Sequence, residues 1–347
     1  MENERAGGPG IKNLIRRKAV SASQEGWVKA EPLLPGGASP LVIRPDVEGV
    51  DLVAWAGRNQ DFIRQNLFAR GGVLFRGFDG GSMPRFEELI KTTSGDLMEY
   101  HDRATPRSQV SGKVYSSTDY PPEHHIELHN ESSYAFTWPR RIFFYCAVVA
   151  REGGETPIAD CRRVLARIDP AIRERFIEKK IMYVRNFGEV FGMSWQTVFQ
   201  TDDINVALEY CRKNHVEVEQ RGGGRLRTRQ VRGAVAAHPE TRETVWFNQA
   251  TSFHLSTLEP AVREALLEQV QEEDVPKNAY YGDGSPIEDS ILDALREAYR
   301  EESIVFPWQA GDVLMLDNML MAHGRRPYVG PRKVVAGMAG PANWEAV

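Results

Sequence analysis

Strand signals stand at both ends of this chain and helix signals fill its middle. That distribution limits the fold more than any other feature. Early strand candidates are Leu41-Val42-Ile43-Arg44-Pro45 and Val73 to Phe78. The run Arg141 to Val149 is aromatic and β-branched, the composition of a buried strand. Two further strands, Asp312 to Leu316 and Arg332 to Met338, close the chain. Between them the period shifts to helical over 161–178, 203–215, 259–273 and 287–302. Earlier helices are expected over Asp51 to Ala69, ended by Gly71-Gly72, and over Pro84 to Thr93. Short strands flank the middle helices: Met182 to Asn186, then Gly233 to Ala237 and Thr244 to Phe247 around a turn at His238-Pro239. Gly222 to Gly224 reads as a flexible turn. No strict βαβα alternation runs through the chain, which argues against a doubly wound parallel sheet. The pattern fits a mainly β, α+β fold: a β-sandwich or jelly roll with helical insertions.

Residues 1–40 are rich in Gly, Pro, Ser and charge without a clear period, and are expected to form a flexible N-terminal segment. Residues 41–347 are expected to form one domain, with the helical insertion at about 160–305. Residues 99–128 are polar and proline-punctuated, suited to a lid or substrate wall.

Composition narrows the function classes. The net charge of −5 argues against a general nucleic-acid binder. The three cysteines, Cys146, Cys161 and Cys211, show no CxxC spacing and suggest neither a disulfide framework nor structural zinc. Met1 to Gly10 lacks the apolar centre of a signal peptide, and no stretch approaches the roughly 18 apolar residues a membrane span needs. A cytoplasmic protein acting on small molecules is the expectation, with a homo-oligomer left open.

The chemistry centres on His129-Asn130-Glu131. On an extended strand, residues i and i+2 share a face, so His129 and Glu131 would present an imidazole and a carboxylate side by side. Late strands close back onto early ones in a sandwich, which makes His323 the candidate third ligand. Two His and one carboxylate leave open positions on an iron. Arg332 begins the last strand and can clamp a small carboxylate in bidentate fashion. Thr156, after Gly153-Gly154, offers a hydroxyl to the same group.

Together His129-x-Glu131, Gly153-Gly154-Glu155-Thr156, His323 and Arg332 resemble the TauD/TfdA superfamily of Fe(II)/2-oxoglutarate-dependent dioxygenases. Further motifs are similar to its syringomycin-biosynthesis (SyrP-like) branch. These are Leu128-His129-Asn130-Glu131, Trp195-Gln196-x-x-Phe199-Gln200-Thr201, His238-Pro239, Trp246-Phe247-Asn248, Tyr281-Gly282-Asp283-Gly284 and His323-Gly324-Arg325. The resemblance runs from about Pro40 to the C-terminus. It implies a double-stranded β-helix (jelly roll, cupin-like) core. It implies Fe(II) on His129, Glu131 and His323, and 2-oxoglutarate with its far carboxylate on Arg332 and Thr156. The reaction it implies consumes O2, releases succinate and CO2, and hydroxylates an unactivated C–H bond. The branch points to the β-carbon of an amino acid or amino-acid-derived substrate, free or tethered to a peptidyl carrier protein, in antibiotic-type specialised metabolism. Desaturation and cyclisation belong to the same chemistry.

Two departures matter. The carboxylate is Glu131 where many members carry Asp, a choice the SyrP-like branch tolerates. Ala336 stands where the taurine enzyme has an arginine for its sulfonate, which argues against a sulfonate substrate. Readings of other classes are a metal-binding jelly-roll hydrolase and a non-catalytic binding protein. A hydrolase would need a general base beside the metal, and no motif clearly offers one. For substrate contact the candidates are Asn130, Trp246, Asn248 and Arg325. Against these stand plainer roles: Trp246, Phe247 and Asn248 as core, His238 as a structural turn residue, and His124 and His125 as a solvated loop.

Overall fold

The computed structural model describes residues 26–347 apart from 36–39, 80, 100, 101, 103–107, 118 and 189–191. Most of the segment expected to be flexible, residues 1–25 and 36–39, lies outside the described residues. The remainder of it is not irregular. Val28–Pro32 forms an edge strand that pairs antiparallel with Leu41–Pro45.

The long strand Thr137–Val148 organises the molecule. It lies between Val313–Asp317 and Lys333–Asn343 in an eight-stranded sheet. From Ile142 to Cys146 its sequence is apolar without alternation because both faces are covered there. Ile142, Phe144 and Cys146 point into one core; Phe143 and Tyr145 point into another. The second core is closed by helices at Leu52–Arg58, Gln60–Arg70 and Met83–Ser94, through Trp55, Ile63, Leu67, Phe86 and Ile90. The first core lies against a four-stranded sheet ordered Ser303–Ile304, Ile158–Asp160, Met321–Arg325, Ile126–His129. The two sheets face each other: the Phe144 ring lies 5.0 Å from the His323 ring across the gap.

Local chemistry explains where expected helices break. The helix expected over Asp51 to Ala69 is two helices, interrupted at Asn59, which serves as C-cap of one and N-cap of the next. Gly71 ends the second at φ +75, the left-handed cap expected of it. The helix expected over 161–178 is likewise two, Cys161–Arg167 and Pro170–Lys179; Asp169 caps the second with Pro170 in its first turn.

Two further expectations are refined. The middle segment holds more strand than expected: Ile181–Phe187, expected as Met182 to Asn186, lies with Glu217–Arg221, Arg225–Arg232 and Lys277–Tyr281 in a third sheet of four strands. Residues 99–128 are not wholly irregular either. Gln109–Ser111 and Val114–Ser116 extend the eight-stranded sheet at its edge. No helix among the described residues is long and apolar enough to cross a membrane.

Candidate active site

The facing sheets bring distant residues together at one end of the four-stranded sheet. His129 and His323 are directly opposite in the register between Ile126–His129 and Met321–Arg325. Their rings stand 4.6 Å apart. Glu131 Oε2 lies 3.8 Å from His323 Nε2. One ligand atom from each of His129, Glu131 and His323 falls within 4.8 Å of the others. Glu131 and His323 are buried, and His129 is half-buried.

Glu131 does not reach this position as expected. The strand ends at His129, and Glu131 begins a turn in which Ser132 takes φ +56. Pleating therefore does not set its direction. Its backbone is held instead by one side chain, Asn318. The Asn318 amide accepts the Glu131 N–H at 2.7 Å and donates to the Glu131 carbonyl at 2.9 Å. It also donates to the Pro139 carbonyl at 2.8 Å.

The His129 Nδ1 lies 2.8 Å from the Glu127 carbonyl. A carbonyl only accepts, so Nδ1 carries the proton, and in the neutral imidazole Nε2 keeps its lone pair. That is the arrangement of a metal-ligating histidine. Burying a carboxylate is costly unless a charge or metal offsets it. Two imidazoles and one carboxylate are the donor set of a non-haem iron site with vacant positions. The residues present fit Fe(II).

The two residues expected to clamp a carboxylate are Arg332 and Thr156. Arg332 donates from Nε to the Gly154 carbonyl at 2.8 Å and from Nη1 to Ser117 Oγ at 3.3 Å. Both acceptors are neutral. Burial, aided by nearby Arg325, lowers the guanidinium pKa to about 10. It remains charged at neutral pH and is poorly solvated, a state that an arriving carboxylate relieves. Thr156 is buried, and its Oγ1 accepts from Trp308 Nε1 at 3.2 Å, which fixes the hydroxyl.

The structure does not bring the four candidate substrate contacts to an open face. Asn130 is wholly buried; its amide donates to the Asn318 carbonyl at 2.6 Å and to Cys161 Sγ at 3.2 Å. Trp246 is core, packed edge-on against Phe176. Asn248 is spent locally, donating to the Ala234 carbonyl and accepting from the Ala250 N–H. Arg325 ties down the loop before the site, donating to the carbonyls of Tyr120, Pro121 and His124. Each is a polar or aromatic group consumed by its own surroundings.

Sequence reasoning missed Asn318, Asp317, Ser117 and Trp308. The first two had a signal. An Asp-Asn pair between two strands is an Asx-turn pattern, and Asp317 accepts the Met319 N–H at 3.0 Å. Asp317 also binds Arg141 at 2.6 Å and His238 Nε2 at 3.1 Å, inside the core. Ser117 and Trp308 had no signal.

The comparisons with known proteins agree with this geometry. Residues 29–338 match the model of the family described as taurine catabolism dioxygenase TauD, TfdA family. The chain belongs to that family. It is a dioxygenase of the iron- and 2-oxoglutarate-dependent class. Over 279 residues it is 40% identical to the dapdiamide synthesis protein DdaC of Enterobacter agglomerans, covering 80% of this chain and 85% of the relative. It is 31% identical over 284 residues to a clavaminate synthase-like protein of Arabidopsis thaliana, covering 78% and 82%. Among solved structures, PvcB, described as an Fe, alpha-ketoglutarate dependent oxygenase from an isonitrile synthetic pathway, shares the fold at TM-score 0.53 and 15% identity, covering 92% of this chain and 94% of that one. AAD-2, solved with Mn(II) and N-oxalylglycine, does so at TM-score 0.54 and 14% identity, covering 91% and 98%. Despite the family's name, Ala336, where the taurine enzyme has an arginine, is wholly buried on the inner face of the large sheet.

Proposed function

We propose that this dioxygenase hydroxylates an unactivated C–H bond, at the β-carbon, of an amino acid or amino-acid-derived substrate during the making of a specialised metabolite. The observation that carries the reading is the convergence of His129, Glu131 and His323 within 4.8 Å. In this reading residues 41–347 are one oxygenase domain around a double-stranded β-helix core, and the two facing sheets support that core.

His129, Glu131 and His323 hold Fe(II), with the Glu127 carbonyl keeping His129 in the ligating tautomer. Arg332 and Thr156 receive the far carboxylate of 2-oxoglutarate, and Gly154 and Trp308 orient them. Iron and 2-oxoglutarate together supply the oxidant from O2, leaving succinate and CO2. The protein contributes position and a dry, buried setting around the ligands.

The biosynthetic assignment is supported by the 40% identity to a dapdiamide synthesis protein. Whether the substrate is free or borne on a carrier protein is part of the test. Purified protein is supplied with Fe(II), 2-oxoglutarate, O2 and a panel of amino acids, each free and loaded on a carrier domain. Succinate release and a product 16 mass units heavier are expected for one substrate class. A product lighter by two hydrogens instead indicates desaturation or ring closure. Unchanged iron binding after His129→Ala overturns the ligand assignment.

A further inference from the structure

Glu131 is the only one of the three ligands that no sheet ladder holds. His129 ends its strand and His323 sits mid-strand, each fixed by its partner strand. Glu131 lies beyond, in a turn, and its side chain is one methylene longer than the Asp more common in the family. A ligand on a turn, with an extra rotatable bond, needs another restraint.

The Asn318 amide has the form of that restraint. One side chain accepts the Glu131 N–H and donates to the Glu131 carbonyl, at 2.7 and 2.9 Å. This is the pair of bonds that a neighbouring strand would otherwise make. Asn318 is itself immobile. It is wholly buried, its N–H donates to the Arg140 carbonyl at 3.0 Å, and its carbonyl accepts from Asn130 at 2.6 Å. The next residues lead directly into Met321–Arg325, the strand of His323. Gln249 secures the other side of the turn, donating from Nε2 to the Asn130 carbonyl at 2.7 Å.

We propose that Asn318 is the positioning residue of the metal site: its side-chain amide stands in for a missing strand and sets the Glu131 carboxylate against His323. The inference rests on the reading that His129, Glu131 and His323 are the ligands. Only an amide meets all three contacts. A carboxylate at this position could accept the Glu131 N–H, but it would face the Glu131 and Pro139 carbonyls with no proton to give.

The test is direct metal binding by the full chain, with Co(II) as the probe, followed by calorimetry and by the Co(II) ligand-field spectrum. N318A and N318D are compared with the parent, each shown folded by circular dichroism. N318S is carried as a smaller, uncharged variant in case the other two do not fold. Loss of a group that orients a ligand is expected to weaken Co(II) by about 10- to 100-fold and to alter the spectrum. N278A removes a comparably buried amide elsewhere, one that accepts the Leu255 N–H. It is expected to lower thermal stability while leaving Co(II) affinity and spectrum alone. In the E131A background N318S should add no further loss of affinity, because the group it positions is gone. Parent-like affinity and spectrum in a folded Asn318 variant overturn the inference, as does an equal loss with or without Glu131. If instead E131A and H129A bind Co(II) like the parent, the ligand reading itself falls.

Discussion

Replacing Gly154 by alanine adds one methyl group, and the structure says where the strain goes. Gly154 takes φ +74, in the left-handed region, which costs an L side chain about 1–2 kcal/mol. The new Cβ would stand 2.9 Å from Arg332 Cδ and 3.0 Å from its Nε, closer than such atoms pack. The backbone at this turn is held, since the Gly154 N–H donates to the Pro327 carbonyl at 3.0 Å. The guanidinium therefore yields first and loses its 2.8 Å bond to the Gly154 carbonyl. A hydrogen bond to a charged group contributes about 1.5–3 kcal/mol. At about 1.4 kcal/mol per decade, 2-oxoglutarate binds roughly 10- to 100-fold more weakly to G154A. The assay is calorimetric titration of 2-oxoglutarate into Co(II)-loaded protein without O2. Co(II) affinity should not change, because Gly154 touches no metal ligand. Gly153→Ala is the contrast: its Cβ would lie 2.2 Å from the Pro327 carbonyl oxygen, a backbone atom, so its cost falls on folding. A folded G154A that binds 2-oxoglutarate within about threefold of the parent refutes the cradle. So does a parallel loss of Co(II), which would mean general collapse of the site.

Three other outcomes follow from the structure. Ala336→Arg places a long cation in the wholly buried inner face of the large sheet, and should cost more than about 4 kcal/mol, read as loss of soluble protein or a large fall in Tm. Loading apo protein with Co(II) at about 100 times its Kd should add roughly 2.7 kcal/mol of stability, and H129A should abolish that increment in thermal melts. His254 is lowered by burial to a pKa of about 4, and its Nδ1 accepts the Ser256 N–H at 3.1 Å. Between its unfolded value near 6.5 and about 4, the unfolded chain holds a proton that the folded one lacks, so stability falls as pH falls through this window. The whole loss is at most roughly 3 kcal/mol. His254→Asn keeps an acceptor but cannot be protonated, and should shrink the difference in urea-unfolding stability between pH 7 and pH 4; an unchanged difference refutes the assignment.

The parts legible in the sequence are those carried by local pattern. The apolar run of Arg141 to Val149, the Gly71 cap and the Gly153-Gly154 turn each state their structure within a few residues. So did the residues of the candidate site, because His, Glu, Arg and Thr are chemically distinct. The candidate substrate contacts are read differently once the fold is known. Trp246, Asn248, Asn130 and Arg325 look functional by type, but tertiary packing assigns their polar or aromatic groups to the protein itself. Nothing within a few residues of Asn130 reveals that the carbonyl of Asn318 will arrive to meet it. The other three strands of the third sheet were missed for a related reason: strands such as Arg225–Arg232 are arginine-rich, and only the ion pairs of Arg227 and Arg229 with Glu219 and Asp274 make them readable as sheet.

The strand end at His129 explains why the site took this form. A continuous strand would fix His129 and Glu131 by the pleat alone and leave no role for Asn318. Ending the strand frees the backbone at Ser132, φ +56, to turn away. That turn sends Tyr134 into the core, where its ring lies 4.8 Å from Phe253 and its hydroxyl donates to the Asp102 carbonyl. The turn thus ties the candidate metal site to Asp102, which is itself ion-paired to Arg185. Asp102 falls within residues 99–128, the stretch expected to form a lid or substrate wall. If Asn318 orients the carboxylate, as proposed, and residues 99–128 wall the substrate, as expected, a single turn links the two. A substitution in that turn should disturb metal affinity and substrate selection together, whereas one in the Arg332 cradle should disturb only the cosubstrate.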